Sequence, residues 1–342
     1  MNSDTKYSAW IVVLALAVAI NAHAQTVTKV GTTAGKFLSI PVGARALGMG
    51  GAFVAVANDV SAMYWNPAGI AGVYQTEALF SHANWIAQIN FNYGGVVVPL
   101  GDMGSFGVNV TSISMDDMER TTEQDPEGTG QFFSAGSFAV GVSYAKRLTD
   151  WFNIGVNAKY INEHIWNDNA TGFAIDVGTL FTTPFPGLKF GAAISNFGTK
   201  MRMTGDDLLV LKAVSSNSGS NQGINANVAT DAFDLPLCLR IGLAYQPIAD
   251  DDKELTIVAD ATHPNDNSES LDVGGEFTAI QKIVAIRAGY KALGARDSEE
   301  QFTVGGGLRY DVGGGLIVKF DYAFEKFGLL ENVHKFSVGV LF

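Results

Sequence analysis

From about residue 76 onward, apolar residues fall at every second position, and small or ionisable residues fill the places between them. The C-terminus is the clearest case. Phe336, Val338, Val340 and Phe342 alternate with Ser337, Gly339 and Leu341. In 316–325, Leu316, Val318, Phe320, Tyr322 and Phe324 alternate with Ile317, Lys319, Asp321, Ala323 and Glu325. The same period sets Arg309 and Asp311 opposite Phe302, Val304, Leu308 and Tyr310, and Arg287 and Lys291 opposite Val284, Ile286 and Tyr290. It also sets Asp272 and Glu276 opposite Leu271, Val273 and Phe277, and Arg240 opposite Leu239, Ile241 and Leu243. Successive residues of a strand point to opposite faces, so each run is a strand with one apolar and one polar face. Repeated strand after strand, this is the dyad signature of a transmembrane β-barrel, apolar outward and polar inward. A large soluble sandwich or propeller is the competing reading. Its solvent face would carry many more Lys and Glu than the Gly, Ser and Thr found here.

The period marks roughly fourteen strands of about 9–11 residues, the length a tilted strand needs to cross a bilayer. They fall near 76–84, 89–98, 104–112, 132–146, 152–162, 171–182, 188–196, 235–246, 254–262, 270–279, 282–291, 301–311, 315–325 and 334–342. The fold class is all-β, an antiparallel transmembrane barrel. Such barrels have short turns at one end and longer loops at the other. One set of alternate connections is short: Pro99 to Met103, Arg147 to Asp150, Thr183 to Gly187, Pro247 to Lys253, Ile280 to Gln281 and Val312 to Gly314. The other set is Trp85 to Gln88, Ile113 to Gln131, Asn162 to Ala170, Phe197 to Asp234, His263 to Glu269, Ala292 to Glu300 and Lys326 to Val333, and it holds the two longest. An even strand count then puts Gln25 and Phe342 on the same, short-turn side.

Composition changes the picture in four ways. Lys6, the apolar run Ala9 to Ile20 and Ala22-His23-Ala24 have the order of a secretory signal peptide cleaved before Gln25. No later run reaches eighteen apolar residues, so a helical membrane protein is excluded. The net charge of −12, with no basic cluster, argues against a nucleic-acid partner. The single cysteine, Cys238, means that no internal disulfide holds the fold.

Ahead of the strands lies GMGGAFVAVANDVSAMYWNPAGIA, Gly48 to Ala71, small-residue-rich and carrying one charge, Asp59. Gly48, Gly50 and Gly51 permit close approach and positive φ, and Pro67 biases Asn66 towards an extended backbone. That predicts a compact irregular plug. The stretch ARALGMGGAFVAVANDVSAMYWNPAGIA resembles the PorV/PorQ family of outer-membrane proteins, and more broadly the N-terminal hatch of FadL-type transporter barrels. The resemblance implies three parts: a signal peptide over 1–24, a hatch over 25–75 inside the lumen, and a barrel over 76–342. It implies that Asn66, Pro67 and Ala68 match the family's NPA motif and help close or gate the pore, although a simple turn is the plainer role. The terminal Phe336, Val338, Val340 and Phe342 look like the insertion signal that outer-membrane barrels show to the barrel-assembly machinery.

The ionisable residues projected inward are Lys159, Asp176, Arg240, Asp260, Glu276, Arg287, Arg309, Lys319, Asp321 and Glu325. Buried charges need partners, so they are expected to form a network bracing the hatch. Asp116, Asp117, Glu119, Glu123, Asp125 and Glu127 crowd one loop without the ordered spacing of a calcium site, and a solvated loop is the simpler account. Met201, Met203, Leu208, Leu209, Val210 and Leu211 flank the longest loop and suit the barrel rim or a contact with an apolar ligand or partner. GMGGAF lacks the surroundings of a dinucleotide loop, and His82, His164, His263 and His334 lack metal-ligand spacing. No enzyme, cofactor or metal is expected. Two functions follow from the resemblance: protein export or surface assembly of the type IX secretion kind, with cargo or secretion components as partners, or FadL-like transport of hydrophobic small molecules. Outer-membrane lipid surrounds the barrel in both.

Overall fold

A computed structural model describes residues 30–212, 223–293 and 300–342. The signal-peptide reading of 1–24, and Gln25, lie outside the described residues, as do parts of two of the longer loops. No helix among the described residues is long and apolar enough to cross a membrane, a statement that does not bear on strands.

The wall has fourteen strands: β1 (Glu77–Asn84), β2 (Asn90–Pro99), β3 (Ser105–Ser114), β4 (Ala135–Thr149), β5 (Phe152–Ile165), β6 (Asp168–Thr182) and β7 (Leu188–Gly198), then β8 (Cys238–Ala249), β9 (Glu254–Pro264), β10 (Ser270–Ala279), β11 (Val284–Leu293), β12 (Glu300–Gly313), β13 (Leu316–Phe327) and β14 (Val333–Leu341). Each is antiparallel to its neighbours in chain order. β1 returns to β14, with Glu77 opposite Leu341 and Asn84 opposite His334, and the barrel closes. Closure leaves the wall without an edge and pairs its backbone groups internally, which a bilayer core demands.

The alternation fixes which face is which. Val108, Val110, Val140, Val142, Ile241, Leu243, Phe336 and Val338 are exposed on the outside, whereas Asn109, Ser143, Asn157 and Asp176 are buried. Phe342 is exposed, and its N–H donates to Thr76 O at 3.0 Å.

Several boundaries differ from the sequence expectation. The loop expected from Asn162 to Ala170 is a tight turn at Trp166 and Asn167, because β5 and β6 keep their pairing as far as Ile165 and Asp168. Phe132 and Phe133, expected to start β4, instead pair with Met118 and Glu119 in a small ribbon beyond the wall. Pro247, expected in a turn, lies inside β8 at a register shift between Tyr245 and Ile248. Proline has no N–H to give to a ladder, so it is accommodated at such an irregularity. A second shift, between β6 and β7, sets Asp176 beside Asn196, whose φ is +64°.

The segment before β1 is a chain of short helical turns: Lys36–Ser39, Ala44–Gly48, Ala62–Trp65 and Pro67–Gly72. Val42, Leu47, Met49, Phe53, Val54, Met63 and Ile70 are fully buried. Gly155, Gly178 and Gly191 on one flank, and Gly274, Gly289 and Gly305 on the other, lie against this segment, so it occupies the barrel interior. At Gly50, φ is +71° and a Cβ would sit 2.7 Å from Val273 O, a place only glycine fills without strain.

The path of the segment can be followed from its first described residues. Thr33 bridges to Asp234, and Lys36 pairs with Asp266 at 2.7 Å, both at the end with the long loops. β1 then begins at the short-turn end, beside Phe342. The described N-terminal residues and Phe342 therefore lie at opposite mouths, because the segment runs the full depth of the lumen before the first strand.

Candidate functional site

The interior contacts between the segment and the wall form the candidate site. Asn66 ends the Ala62–Trp65 turn in an extended backbone, and Pro67 starts the next turn, as a residue without an N–H can. The Asn66 side chain then reaches three ways. Its Oδ1 accepts from Ala68 N (3.2 Å), while its Nδ2 donates to Val54 O (2.9 Å) and to Thr179 O on β6 (3.0 Å). Three strands further along the wall, Asp260 Oδ2 on β9 accepts both Phe53 N (2.7 Å) and Val54 N (2.8 Å). Residues 53–68 are thus fastened to β6 and β9 by one amide and one carboxylate, each buried.

Below them, towards the short-turn end, Arg45 binds Glu276 with two bonds, Nη2 to Oε1 at 2.8 Å and Nε to Oε2 at 3.0 Å, and reaches Asp59 at 3.2 Å. Arg287 joins the same Glu276 (2.6 Å) to Asp321 (2.7 Å), and Lys319 pairs with Glu77 at 2.9 Å. Burial alone would weaken the charge on Arg45, but Glu276 and Asp59 hold its pKa above the ordinary arginine value. A second cluster sits against β5–β7. Lys159 pairs with Asp176 at 2.8 Å, and Asp176 accepts from Asn157 Nδ2 (3.0 Å) and Asn196 N (2.7 Å). In a third, Lys291 pairs with Glu325 at 2.5 Å, and Lys335 donates to Pro41 O of the segment.

These clusters place the sequence-derived residues. Lys159, Asp176, Arg240, Asp260, Glu276, Arg287, Lys319, Asp321 and Glu325 face inward, and Arg309 lines the cavity at the short-turn mouth. Gly48, Gly50 and Gly51 meet β12, β10 and Trp65, and Asp59 also accepts from Ser61 N and Oγ. Phe336, Val338 and Phe342 are on the outer face, away from all of these, with Val340 half-buried beside them. Sequence reasoning missed Arg45, Glu77, Asn157 and Lys335. Glu77 and Lys335 share the inward phase of Ser81 and Ser337 on their own strands, so the alternation could have found them. Arg45 stands in a stretch with no period.

Cavities flank the segment at both ends of the lumen. One at the short-turn end, about 230 Å³, is walled by the Arg45, Glu276, Arg287 and Asp321 charges. One at the long-loop end, about 400 Å³, is walled by Tyr64, Trp65, Cys238 and Arg240. Burial pushes the Tyr64 hydroxyl up to about 12, so it stays protonated at ordinary pH. The arrangement can bind and brace, and the charged lining at both mouths is a barrier to a purely apolar solute.

Solved structures share this fold at low identity. The Pseudomonas putida toluene transporter TodX is 13% identical, with a TM-score of 0.56, covering 87% of this chain and 96% of its own. The Ralstonia pickettii toluene transporter TbuX is 12% identical, with a TM-score of 0.54, covering 87% and 97%. A Pseudomonas aeruginosa FadL homologue is 13% identical, with a TM-score of 0.53, covering 87% and 97%. At such identities the likeness speaks for the fold alone. No curated protein matches the chain. The model of one family, described as type IX secretion system protein PorV, matches residues 22–263. With that match over most of the length, on an outer-membrane barrel whose interior is filled by its own N-terminal segment, the chain belongs to the PorV family.

Proposed function

We propose that this outer-membrane barrel works in protein export or surface assembly as a component of a type IX secretion system, engaging secreted cargo or other secretion components rather than catalysing a reaction. Family membership gives the class, and the observation that carries the reading is the lumen. It holds a segment fastened to β6 and β9, with charge at both cavities, which suits a closed platform better than an apolar conduit. Residues 25–75 act as a hatch, with Asn66, Pro67, Ala68 and Asp260 as its fastening. The long loops face the cell exterior and Phe342 faces the periplasm, where the barrel-assembly machinery reads the C-terminal strand; residues 1–24 direct secretion.

Mass spectrometry of the barrel purified in mild detergent from its own membrane tests this. A secreted protein or secretion component is expected to co-purify, and loss of the gene should leave cargo in the periplasm. Normal secretion in the deletion strain would overturn the reading. A second reading, transport of hydrophobic small molecules, is favoured by the fold shared with TodX and TbuX. It predicts a bound apolar compound that survives purification and slower growth of the deletion strain on such compounds.

A further inference from the structure

The cavity at the long-loop end is neutral once each charge at its wall is counted with its partner. Lys36 pairs with Asp266 and Lys291 with Glu325. That leaves Arg240 and Asp272 on the same wall, one of each sign. Arg240 meets the Tyr64 hydroxyl and donates to Ser195 Oγ at 3.3 Å, and Asp272 Oδ1 accepts from Ala292 N at 2.8 Å. The charges of this wall are thus occupied with one another and with their neighbours.

What the wall leaves over is uncharged. The hydroxyls of Ser39, Thr262, Ser268 and Ser270 line the same space, and among the described residues none of them has a hydrogen-bond partner. Asn267 Oδ1 accepts from Ser268 N at 2.8 Å, which leaves its Nδ2 to donate. Two of the hydroxyls are placed by the ladder. Arg240 is the register partner of Thr262, and Thr262 of Ser270, so the three form one inward row across β8, β9 and β10. With neighbouring strands about 4.8 Å apart, the row is about 10 Å long. The segment adds the rings of Tyr64 and Trp65 to the cavity, and β13 adds Phe327.

This combination selects against most ligand classes. An ion of either sign would bring an unmatched charge into a wall already in balance. A zwitterion would have to part Lys36 from Asp266 or Lys291 from Glu325. A purely apolar solute would strip water from the free hydroxyls and give them nothing in return. A pyranose ring carries hydroxyls around its edge and C–H groups on its faces, so it meets hydroxyl and aromatic groups together. A volume of about 400 Å³ lies within the range of small-molecule sites.

We propose that this cavity binds an uncharged mono- or disaccharide, whose hydroxyls meet Thr262, Ser270, Ser39 and Asn267 and whose C–H face lies against Tyr64. The site goes beyond the export reading and does not depend on it: a barrel that bound no sugar could still be judged by its cargo, and the reverse.

Saturation-transfer difference NMR on the full-length barrel in deuterated detergent tests the proposal, with methyl α-D-glucoside, methyl α-D-mannoside, methyl β-D-galactoside and maltose as probes. Saturable transfer to the ring protons of at least one of these is expected, abolished by excess of the same sugar and unaffected by toluene or benzoate. Thr262→Val and Ser270→Ala should each weaken that binding about two- to tenfold, the worth of one hydrogen bond. Thr278→Val, in the cavity at the other mouth, should leave it unchanged. Retained heat-modifiable mobility in electrophoresis shows that each variant is folded. A second readout needs no loss of affinity: in Ser268→Cys, made in a Cys238→Ser background, the same sugar should slow reaction with a small methanethiosulfonate reagent. Absence of saturable transfer from all of these sugars, equal competition by toluene, affinity unchanged in both folded T262V and S270A, or no protection in the Ser268→Cys chain would each overturn the assignment.

Discussion

Glycines seat the N-terminal segment on both flanks of the lumen, but the ion pairs that reach it from the wall are unequally shared between them. Against β4–β6, the turn Asn66–Gly72 sits directly on the wall, with Gly155 beneath Pro67 and Gly178 beneath Asn66. Against β10–β14, Ala44–Gly48 also packs closely, but much of the fastening is ionic and shared: Glu276 serves both Arg45 and Arg287, and Arg287 also serves Asp321. Contact of the first kind depends on an absent side chain and has no second arrangement. The shared charges can lose one member and re-form. The first flank should therefore behave as a fixed seat, and the second as the side on which the segment can loosen.

The comparison can be broken most directly at Gly178. A Cβ there would stand 2.0 Å from Asn66 Oδ1 and 2.8 Å from Pro67 Cδ. Gly178→Val should destabilise by about 3 kcal/mol or more, at or beyond the usual range for overpacking, and heat-modifiable folded barrel should be lost. Next in size is Asp260→Ala, which leaves the Phe53 and Val54 N–H groups buried and unpaired at about 1–3 kcal/mol each. Urea unfolding in detergent should show the loss, with Asp260→Asn recovering part of it. Arg45→Met should cost less, about 1.5–3 kcal/mol, because Glu276 keeps Arg287. If the ionic flank is the one that loosens, this variant should raise ion current in planar bilayers more than an equally destabilising change on the glycine flank; equal currents would remove the distinction. The smallest effect on stability belongs to a topological test. Val30→Cys in a Cys238→Ser background should fold normally and react with an impermeant maleimide on intact cells, since exposed Val30 lies close to the long-loop mouth. Labelling only after permeabilisation would reverse the assigned orientation.

Much of this architecture was legible in the chain. The wall could be read because a closed barrel writes its geometry locally: each strand repeats the same two-residue period, and Phe320, Tyr322 and Phe324 separate from Lys319, Asp321 and Glu325 without knowledge of any neighbour. The inward charges could be identified for the same reason, but not their partners, because Arg287 meets Asp321 across two strand pairings and Arg45 arrives from outside the period. Strand ends were less legible. Ile165 and Asp168 continue a ladder with polar residues around them, and pairing, not hydropathy, decides where it stops. The direction of the N-terminal segment was hidden altogether, since nothing in Gly48 to Ala71 tells which mouth it enters.

The seam between β1 and β14 has a consequence for the order of assembly. The first strand pairs early with β2, but its second partner is β14, so the cylinder cannot be sealed until that strand has been made. Contacts between such distant residues form slowly. The segment ahead of β1 runs from one mouth to the other, and once the seam zips it has walls on every side. Its seating must therefore come before or together with sealing, and a chain that closes around an empty lumen would have to thread some forty residues through a finished pore.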